Sequence, residues 1–177
     1  NARNKVFEVS EPYLDKYQFF LTFDLDFKEI STSSIINTLK NDKSWDVATA
    51  NTPKYYYDRW ALRTKEYQDS CWKEPKERSC GNPLTAWLPS TPYSHKIPPE
   101  DQPIEVISAF GGMAIYKSDM IKSCRKNTDC KYSGKCEKGE LCSFEKNMDC
   151  EHVHFHKKLT EHTGAKITIW PSLTIEK

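Results

Sequence analysis

Apolar residues near the start of the chain predict a helix that leads into a strand. The residues that recur three or four positions apart are Val6, Val9, Tyr13 and Tyr17. Their spacing predicts a helix with a break at Pro12, because proline cannot continue a helical hydrogen-bond ladder. The run from Gln18 to Phe23 is short, aromatic and uninterrupted. Such a run predicts a strand that is buried on both faces of a mainly parallel sheet.

Further helices and strands are predicted downstream. The stretch "STSSIINTLKND" at 31–42 sets Ser and Thr before apolar residues, which is typical of a capped helix, and "SWDVATAN" at 44–51 predicts the next strand. The stretch 104–117 predicts a strand, a Gly-Gly turn and a second strand. The last unit predicts a helix that ends near Gly164, because glycine favours helix ends, and then a strand over 166–170.

This alternation predicts a single α/β domain over residues 1–177, with a mixed sheet flanked by helices. The segments 55–72 and 80–103 are rich in aromatic residues, charges or prolines, and we expect long surface loops there.

Charge and hydropathy exclude two classes of partner at the sequence level. The chain has 26 Lys and Arg against 25 Asp and Glu, and the two signs are interspersed, so no basic surface for nucleic acid is predicted. The apolar runs are shorter than the ~20 residues that a membrane-spanning helix needs. The N-terminus also lacks the pattern of a signal peptide.

Five of the seven cysteines fall between Cys124 and Cys150. This Lys-rich segment has few aliphatic residues and cannot build a core, so we expect an insertion over 124–150 that is held by disulfides. Cys71 and Cys80 are a plausible separate pair. The cysteine content favours a secretory lumen, the extracellular space or a virion, although a viral protein assembled in the cytoplasm could carry the same cluster.

Zinc binding is the alternative interpretation of the cysteine cluster. Its candidate ligands are Cys136, Cys142 and Cys150 with a histidine from His152, His154 and His156. His152 and His156 lie four positions apart on one predicted helix face and could share a metal, whereas His154 points elsewhere. The chain has no CxxC pair, which zinc sites commonly use.

Asp24 and Asp26 follow the predicted aromatic strand directly. Side chains at i and i+2 of an extended backbone point the same way, so the two carboxylates could converge on one hard divalent cation such as Mn²⁺ or Mg²⁺. A cation held in this way keeps coordination positions open for diphosphate oxygens. In the alternative, the two acids only end a strand and cap a turn.

Several motifs occur in a characteristic order over nearly the whole chain. They are "ARN" at 2–4, "FDLD", "YYYDRWALR", "SAFGGMAIYK" and "CEHVHFH". This ordered set resembles the nucleotide-diphospho-sugar glycosyltransferases of the GT-A fold, especially a DxD-containing group of eukaryotes and large viruses. The resemblance implies a GT-A-like, Rossmann-like sheet and transfer of a sugar to a glycan or protein hydroxyl.

The resemblance also implies roles for residues that bind the donor. Asp24 and Asp26 match the metal-binding acids, with Asp26 as the direct ligand and Asp24 as the contact to ribose or metal-bound phosphate. Arg3 would help to neutralise the diphosphate, since a planar guanidinium suits phosphate oxygens. Gly111 and Gly112 match a glycine loop where the backbone approaches the sugar or acceptor. In the alternative, Arg3 is only an exposed arginine on a helix, and Gly111 and Gly112 only form a tight turn between strands.

On the acceptor side, the resemblance places Glu151 as the general base of an inverting enzyme, with Asp149 as its rival. In the alternative, both acids only complement a helix N-terminus. Asp58, Arg59 and Trp60 would line the sugar site, or form a packed loop with an ion pair.

In that family, base-binding strands precede the Arg-Asn helix with which residues 1–177 begin. The resemblance therefore leaves three alternatives: the sequence is a fragment, another segment or chain completes the fold, or the scaffold no longer binds a nucleotide and serves another purpose. The partners that it implies are a nucleotide-sugar donor and a glycan or glycoprotein acceptor. A second hypothesis from another class is a non-catalytic structural or carbohydrate-binding module on a degenerate transferase scaffold.

Overall fold

The computed structural model describes residues 2–52, 56, 58–66, 68, 96–135 and 149–176. These residues form a mixed α/β structure in which a curled sheet is flanked by helices. The helices are α1 (Ala2–Ser10), α2 (Thr32–Leu39), α3 (Ser118–Cys124) and α4 (Glu151–Thr163), and the strands are β1 (Phe19–Phe23), β2 (Glu29–Ile30), β3 (Val47–Asn51), β4 (Ile104–Val106), β5 (Met113–Lys117) and β6 (Ile167–Glu176). Of the predicted surface loops, residues 80–95 lie outside the described residues, whereas most of 55–72 is described. The prediction of a surface loop is wrong for that described part, because Tyr56, Ala61, Leu62 and Arg63 are each at most 1% exposed.

The sheet is mixed, with the strand order β1-β5-β3-β6-β2, and β4 pairs with β6. Among the described ladders only β3 and β6 are parallel, so the prediction of a mainly parallel sheet is wrong. The prediction that β1 is buried on both faces is also wrong, because β1 is an edge strand whose residues are partly exposed. The aromatic run resembles a central strand because its rings pack on both faces of the sheet, even at an edge. Phe20 contacts Phe7 on one face, and Phe19 contacts Trp45 on the other.

Two apolar clusters cover the two faces of the sheet. On one face α1, α3 and α4 pack around Phe7, Tyr116 and Phe155. On the other face α2 packs near Trp45 and Met113. The predicted strand 44–51 is confirmed as the fully buried β3. The predicted helix within 31–42 is confirmed as α2, whose cap is the Ser31 hydroxyl accepting the Ser34 N–H at 3.2 Å.

The first helix ends before the predicted break. α1 stops at Ser10, and a short 3-10 turn over Glu11–Tyr13 contains Pro12. The buried residues of this region are Phe7 and Leu14. The apolar residues that predicted the helix are instead exposed: Val6, Val9, Tyr13 and Tyr17.

The two glycines after β4 have a steric reason to be glycine. Gly111 and Gly112 have φ values of 62° and 87°, in the left-handed region that favours glycine. A Cβ on Gly111 would lie 2.1 Å from the carbonyl oxygen of Ala50. The predicted Gly-Gly turn is present, but it does not close a hairpin: β4 pairs with β6, whereas β5 lies between β1 and β3.

The C-terminal unit follows its prediction closely. α4 ends at Gly164, which has a φ of 71° and donates its N–H to the Thr160 carbonyl at 2.8 Å. The strand after it is longer than 166–170, since β6 continues through Pro171 to Glu176.

The described cysteines include one disulfide, Cys124–Cys130, and one free buried thiol, Cys150. The disulfide agrees with the predicted cross-linking of the 124–150 insertion. The other cysteines of the predictions lie outside the described residues: Cys71, Cys80, Cys136 and Cys142. No helix within the described ranges is both long and apolar enough to cross a membrane.

Candidate functional site

Arg3 joins two acids that are distant in sequence. From the first turn of α1, its Nη2 donates to Oδ1 of Asp24 at 2.8 Å and its Nε donates to Oε1 of Glu151 at 3.1 Å. Asp24 directly follows β1, and Glu151 opens α4. All three side chains are between a quarter and a third exposed, so the cluster is reachable from solvent. Three residues that the sequence singled out separately therefore meet at one place.

The cluster lies in an open groove of about 440 Å³. Arg3, Asp24 and Glu151 form its polar part. The rest of the lining is mostly apolar and aromatic: Ala2, Val6, Phe7, Phe20, Thr22, Phe23, Leu25 and Tyr132. A groove with apolar walls and a few convergent charges is the usual form of a small-molecule site.

Arg3 is held as a permanent cation. Burial alone would lower its pKa, but the hydrogen bonds and charges of Asp24 and Glu151 outweigh burial and raise the pKa above its ordinary value. Its guanidinium carbon also lies 4.9 Å from the centroid of the Phe110 ring, which adds a cation–π contact. Two carboxylates on one guanidinium leave this end of the groove with excess negative charge.

Asp58 connects the acidic cluster to the glycine loop. Its Oδ2 accepts the Gly111 N–H at 3.2 Å, and its Oδ1 accepts the Ala61 N–H at 3.3 Å. The net pKa of Asp58 is raised to about 6, and burial is the largest cause. The charges of Asp24 and Glu151 also raise the pKa, whereas the two hydrogen bonds lower it. Asp58 therefore gains or loses its proton just below neutral pH.

Asp149 has a different partner from Glu151. Its Oδ1 accepts from Nη2 of Arg63 at 2.5 Å and from the Cys150 N–H at 2.7 Å. The Arg63 side chain is only 1% exposed, so Asp149 neutralises a buried charge at the start of α4. Glu151, which lines the groove, is the better candidate base. Sequence pattern does not single out Arg63, although this residue ends the "YYYDRWALR" motif.

Four other predicted site residues do not line the groove that holds the cluster: Asp26, Arg59, Trp60 and Gly112. The Asp24 N–H donates to the Gly112 carbonyl at 2.9 Å, which fixes the backbone of the DxD motif against the glycine loop. Asp26 is exposed, Arg59 is buried, and Trp60 is partly exposed.

Asp24 and Asp26 carry the oxygen ligands that a hard divalent cation prefers, but two carboxylates are fewer ligands than such a cation takes. In the described part of the chain, no three His, Cys, Asp or Glu side chains form a metal-binding group. Mg²⁺ and Mn²⁺ are commonly held by one or two carboxylates plus phosphate oxygens. Asp24 pairs with Arg3 and Asp26 is exposed, so the described residues do not by themselves build a metal site at this motif.

His152 and His156 are packed inside the protein. Nδ1 of His156 is hydrogen-bonded with the Ser108 hydroxyl at 3.1 Å, and Nε2 with the Tyr116 hydroxyl at 2.9 Å. His152 stacks on Phe110 with the ring centroids 3.9 Å apart. Both ring nitrogens of His156 are engaged in hydrogen bonds, so the structure supports a packing role for this histidine rather than the alternative in which it shares a metal with His152.

Neither a scan against models of protein families nor a search of curated proteins gave a match to this chain.

Proposed function

We propose that the chain is a metal-dependent glycosyltransferase domain on a GT-A-like scaffold. It transfers a sugar from a nucleotide-diphosphate donor to a glycan or protein hydroxyl. One observation carries the proposal: Arg3 meets Asp24 and Glu151 in a solvent-accessible groove whose other walls are apolar and aromatic. Cationic, metal-binding and proton-accepting groups are thus available in one place for one substrate.

Each group has a role that its chemistry supports. Arg3 binds diphosphate oxygens through its planar fork of donors. Asp24 and Asp26 would hold Mn²⁺ or Mg²⁺, which would neutralise charge on the departing nucleotide diphosphate. Glu151 accepts the proton of the acceptor hydroxyl as that oxygen attacks the anomeric carbon.

Calorimetric titration with a panel of nucleotide diphosphates, with and without Mn²⁺, tests the donor site. We expect the wild-type chain to bind one nucleotide in a Mn²⁺-dependent manner, and Asp26→Asn to lose that binding. Asp15→Asn is the matched control, since Asp15 is an exposed acid paired with Lys122 and does not line the groove. Equal binding by wild type and Asp26→Asn would refute the metal role.

A transfer assay separates Glu151 from the donor-binding residues. Glu151→Gln keeps a side chain that still accepts from Arg3 but removes the base. We expect Mn²⁺-dependent nucleotide binding to persist while the transfer rate falls by about 10²–10⁴-fold. Unchanged transfer by this variant would exclude Glu151 as the base.

One observation favours a second candidate, a non-catalytic structural or carbohydrate-binding module. Arg3 already pairs with both Asp24 and Glu151, which is also what a purely structural ion-pair network would show. A folded chain that binds a glycan, but binds no nucleotide diphosphate with Mn²⁺, would establish this candidate instead.

A further inference from the structure

A single turn, residues 110–113, contacts two members of the Arg3–Asp24–Glu151 cluster. The carbonyl oxygen of Gly112 accepts the Asp24 N–H at 2.9 Å. The ring of Phe110 packs against the Arg3 guanidinium, with the guanidinium carbon 4.9 Å from the ring centroid. The place of this turn, which we call the glycine turn, therefore sets where Asp24 and Arg3 lie.

Two contacts hold the glycine turn itself. Gly111 packs against β3 so closely that a Cβ would lie 2.1 Å from the Ala50 carbonyl oxygen. The Gly111 N–H donates to Oδ2 of Asp58 at 3.2 Å. The contact with β3 sets how closely the turn can approach that strand, and the hydrogen bond ties the turn to Asp58.

The Asp58 carboxylate bridges the glycine turn and its own stretch of chain. Its Oδ1 accepts the Ala61 N–H at 3.3 Å, three residues further along. A carboxylate can accept one N–H on each oxygen, whereas an amide side chain has only one acceptor oxygen. The residue type at position 58 therefore fits a bridge between two backbone segments.

Asp58 is not among the described residues that line the groove. The resemblance implies that Asp58 lines the sugar site, yet both of its oxygens accept backbone N–H groups. The contacts of Asp58 lead to the groove through the glycine turn.

We propose that Asp58 is a positioning residue for donor binding, which acts on Arg3 and Asp24 through the glycine turn. The role rests on the proposed function, in which these two residues bind the donor diphosphate. Without the Asp58 carboxylate the turn loses its hydrogen bond, so Phe110 and Gly112 no longer hold Arg3 and Asp24 in place. Misplacement of a binding group by 1 Å can cost about 10²-fold.

Three variants separate this role from a purely local one. Asp58→Ala removes both hydrogen bonds. Asp58→Ser keeps a short oxygen that can accept the Ala61 N–H, as a helix-capping serine does, but that cannot also reach Gly111. Thr38→Val is the control: it removes a buried hydroxyl that donates to the Ser34 carbonyl on α2, on the other face of the sheet.

Amide hydrogen exchange measured by NMR on the whole 177-residue chain reports whether Asp58 holds Asp24. We expect the Asp24 amide to exchange about tenfold or more faster, relative to the amides of β6, in both Asp58→Ala and Asp58→Ser. Thr38→Val should leave that ratio unchanged. A purely local role predicts instead that Asp58→Ser behaves as wild type at Asp24.

Calorimetric titration with a panel of nucleotide diphosphates and Mn²⁺ reports whether this position matters for the donor. For the nucleotide that the wild type binds, we expect both Asp58 variants to weaken the affinity by about 10–10²-fold. Thr38→Val should leave the affinity unchanged, because a loss of stability alone does not alter the site of a chain that is still folded.

A wild-type exchange rate at Asp24 in folded Asp58→Ser would overturn the proposal, and so would faster exchange with unchanged nucleotide affinity. If Asp58→Ala does not fold, Asp58→Ser decides, because it retains the bond to Ala61. No nucleotide binding by the wild type would refute the proposed function, and with it the donor role of Asp58. The exchange of Asp24 would then still show whether Asp58 holds the glycine turn.

Discussion

Asn4 and Tyr132 form a reciprocal pair of hydrogen bonds. Nδ2 of Asn4 donates to the Tyr132 carbonyl, and the Tyr132 N–H donates to Oδ1 of Asn4, each at 2.8 Å. The amide of Asn4 thus pairs with a peptide unit as a neighbouring strand would. Tyr132 follows the Cys124–Cys130 disulfide and stacks on Phe7 with the ring centroids 5.0 Å apart. These contacts fix the helix turn that presents Arg3.

Replacing Asn4 by alanine should therefore weaken both the fold and the site. We expect Asn4→Ala to lower the free energy of unfolding by about 1–3 kcal/mol, since two partly buried hydrogen bonds are lost. Asn4→Asp keeps the acceptor but sets a carboxylate oxygen against the Tyr132 carbonyl, so its loss should be at least as large as that of Asn4→Ala. Urea denaturation measures both. If Asn4→Ala is as stable as wild type, the pair contributes nothing to holding α1.

Alanine substitutions at Gly111 and Gly164 distinguish the cost of steric crowding from the cost of backbone strain. Both have positive φ, but a Cβ meets Ala50 at position 111 and nothing within 4 Å at position 164. We expect Gly111→Ala to cost more than about 3 kcal/mol, from overpacking added to strain, and Gly164→Ala only about 1–2 kcal/mol. The two midpoints in urea provide the comparison, and equal losses would show that Ala50 moves away without cost.

Asp149 should matter for stability because it neutralises buried Arg63. Asp149→Asn leaves that guanidinium without its counter-charge, and we expect a loss of about 3–5 kcal/mol in the free energy of unfolding. The control is Glu105→Gln, in the exposed Lys166–Glu105 pair, which should change stability by less than about 1 kcal/mol. A fully stable Asp149→Asn with reduced sugar transfer would instead restore Asp149 as the catalytic base.

Buried His156 should make the fold sensitive to acid. Burial lowers the pKa of His156 to about 3, whereas an unfolded histidine titrates near 6.5. Between these pH values the unfolded chain binds more protons than the folded chain, so stability falls as pH falls. The slope that His156 adds is at most about 1.4 kcal/mol per pH unit.

Denaturation of the wild type and of His156→Gln between pH 7 and pH 4 measures this slope. The glutamine variant can still bond with Ser108 and Tyr116 but has no imidazole to protonate. We expect its stability to depend less steeply on pH. Burial of Asp58 acts in the opposite direction, since its raised pKa makes the folded chain bind more protons between about 4 and 6. Parallel curves for the two proteins would show that His156 takes up a proton without unfolding.

The helices and strands that sequence pattern predicted well are those with strong local signals. Ser31 caps α2, Gly164 ends α4, and the all-apolar or small residues of β3 mark a central strand. The capping of a helix and the geometry of its C-terminal end depend on residues only a few positions away, so local sequence determines both. The short α3 and two-residue β2 were not predicted, because their lengths give too few positions for a periodic pattern.

Sequence pattern also selected Arg3, Asp24 and Glu151 as candidates, but only the tertiary structure brings them together. Arg3 lies 21 positions from Asp24 and 148 from Glu151, so no local rule fixes their distances.

By itself, the sequence determined the α/β class, the main helix and strand segments, and the chemical types available to a site. The tertiary structure decided that β1 lies at an edge, that Asp149 pairs with Arg63, and that His156 is buried. The physical reason is that propensity and capping act over a few residues. Strand order, burial and ion pairing depend on which distant segments share the same space.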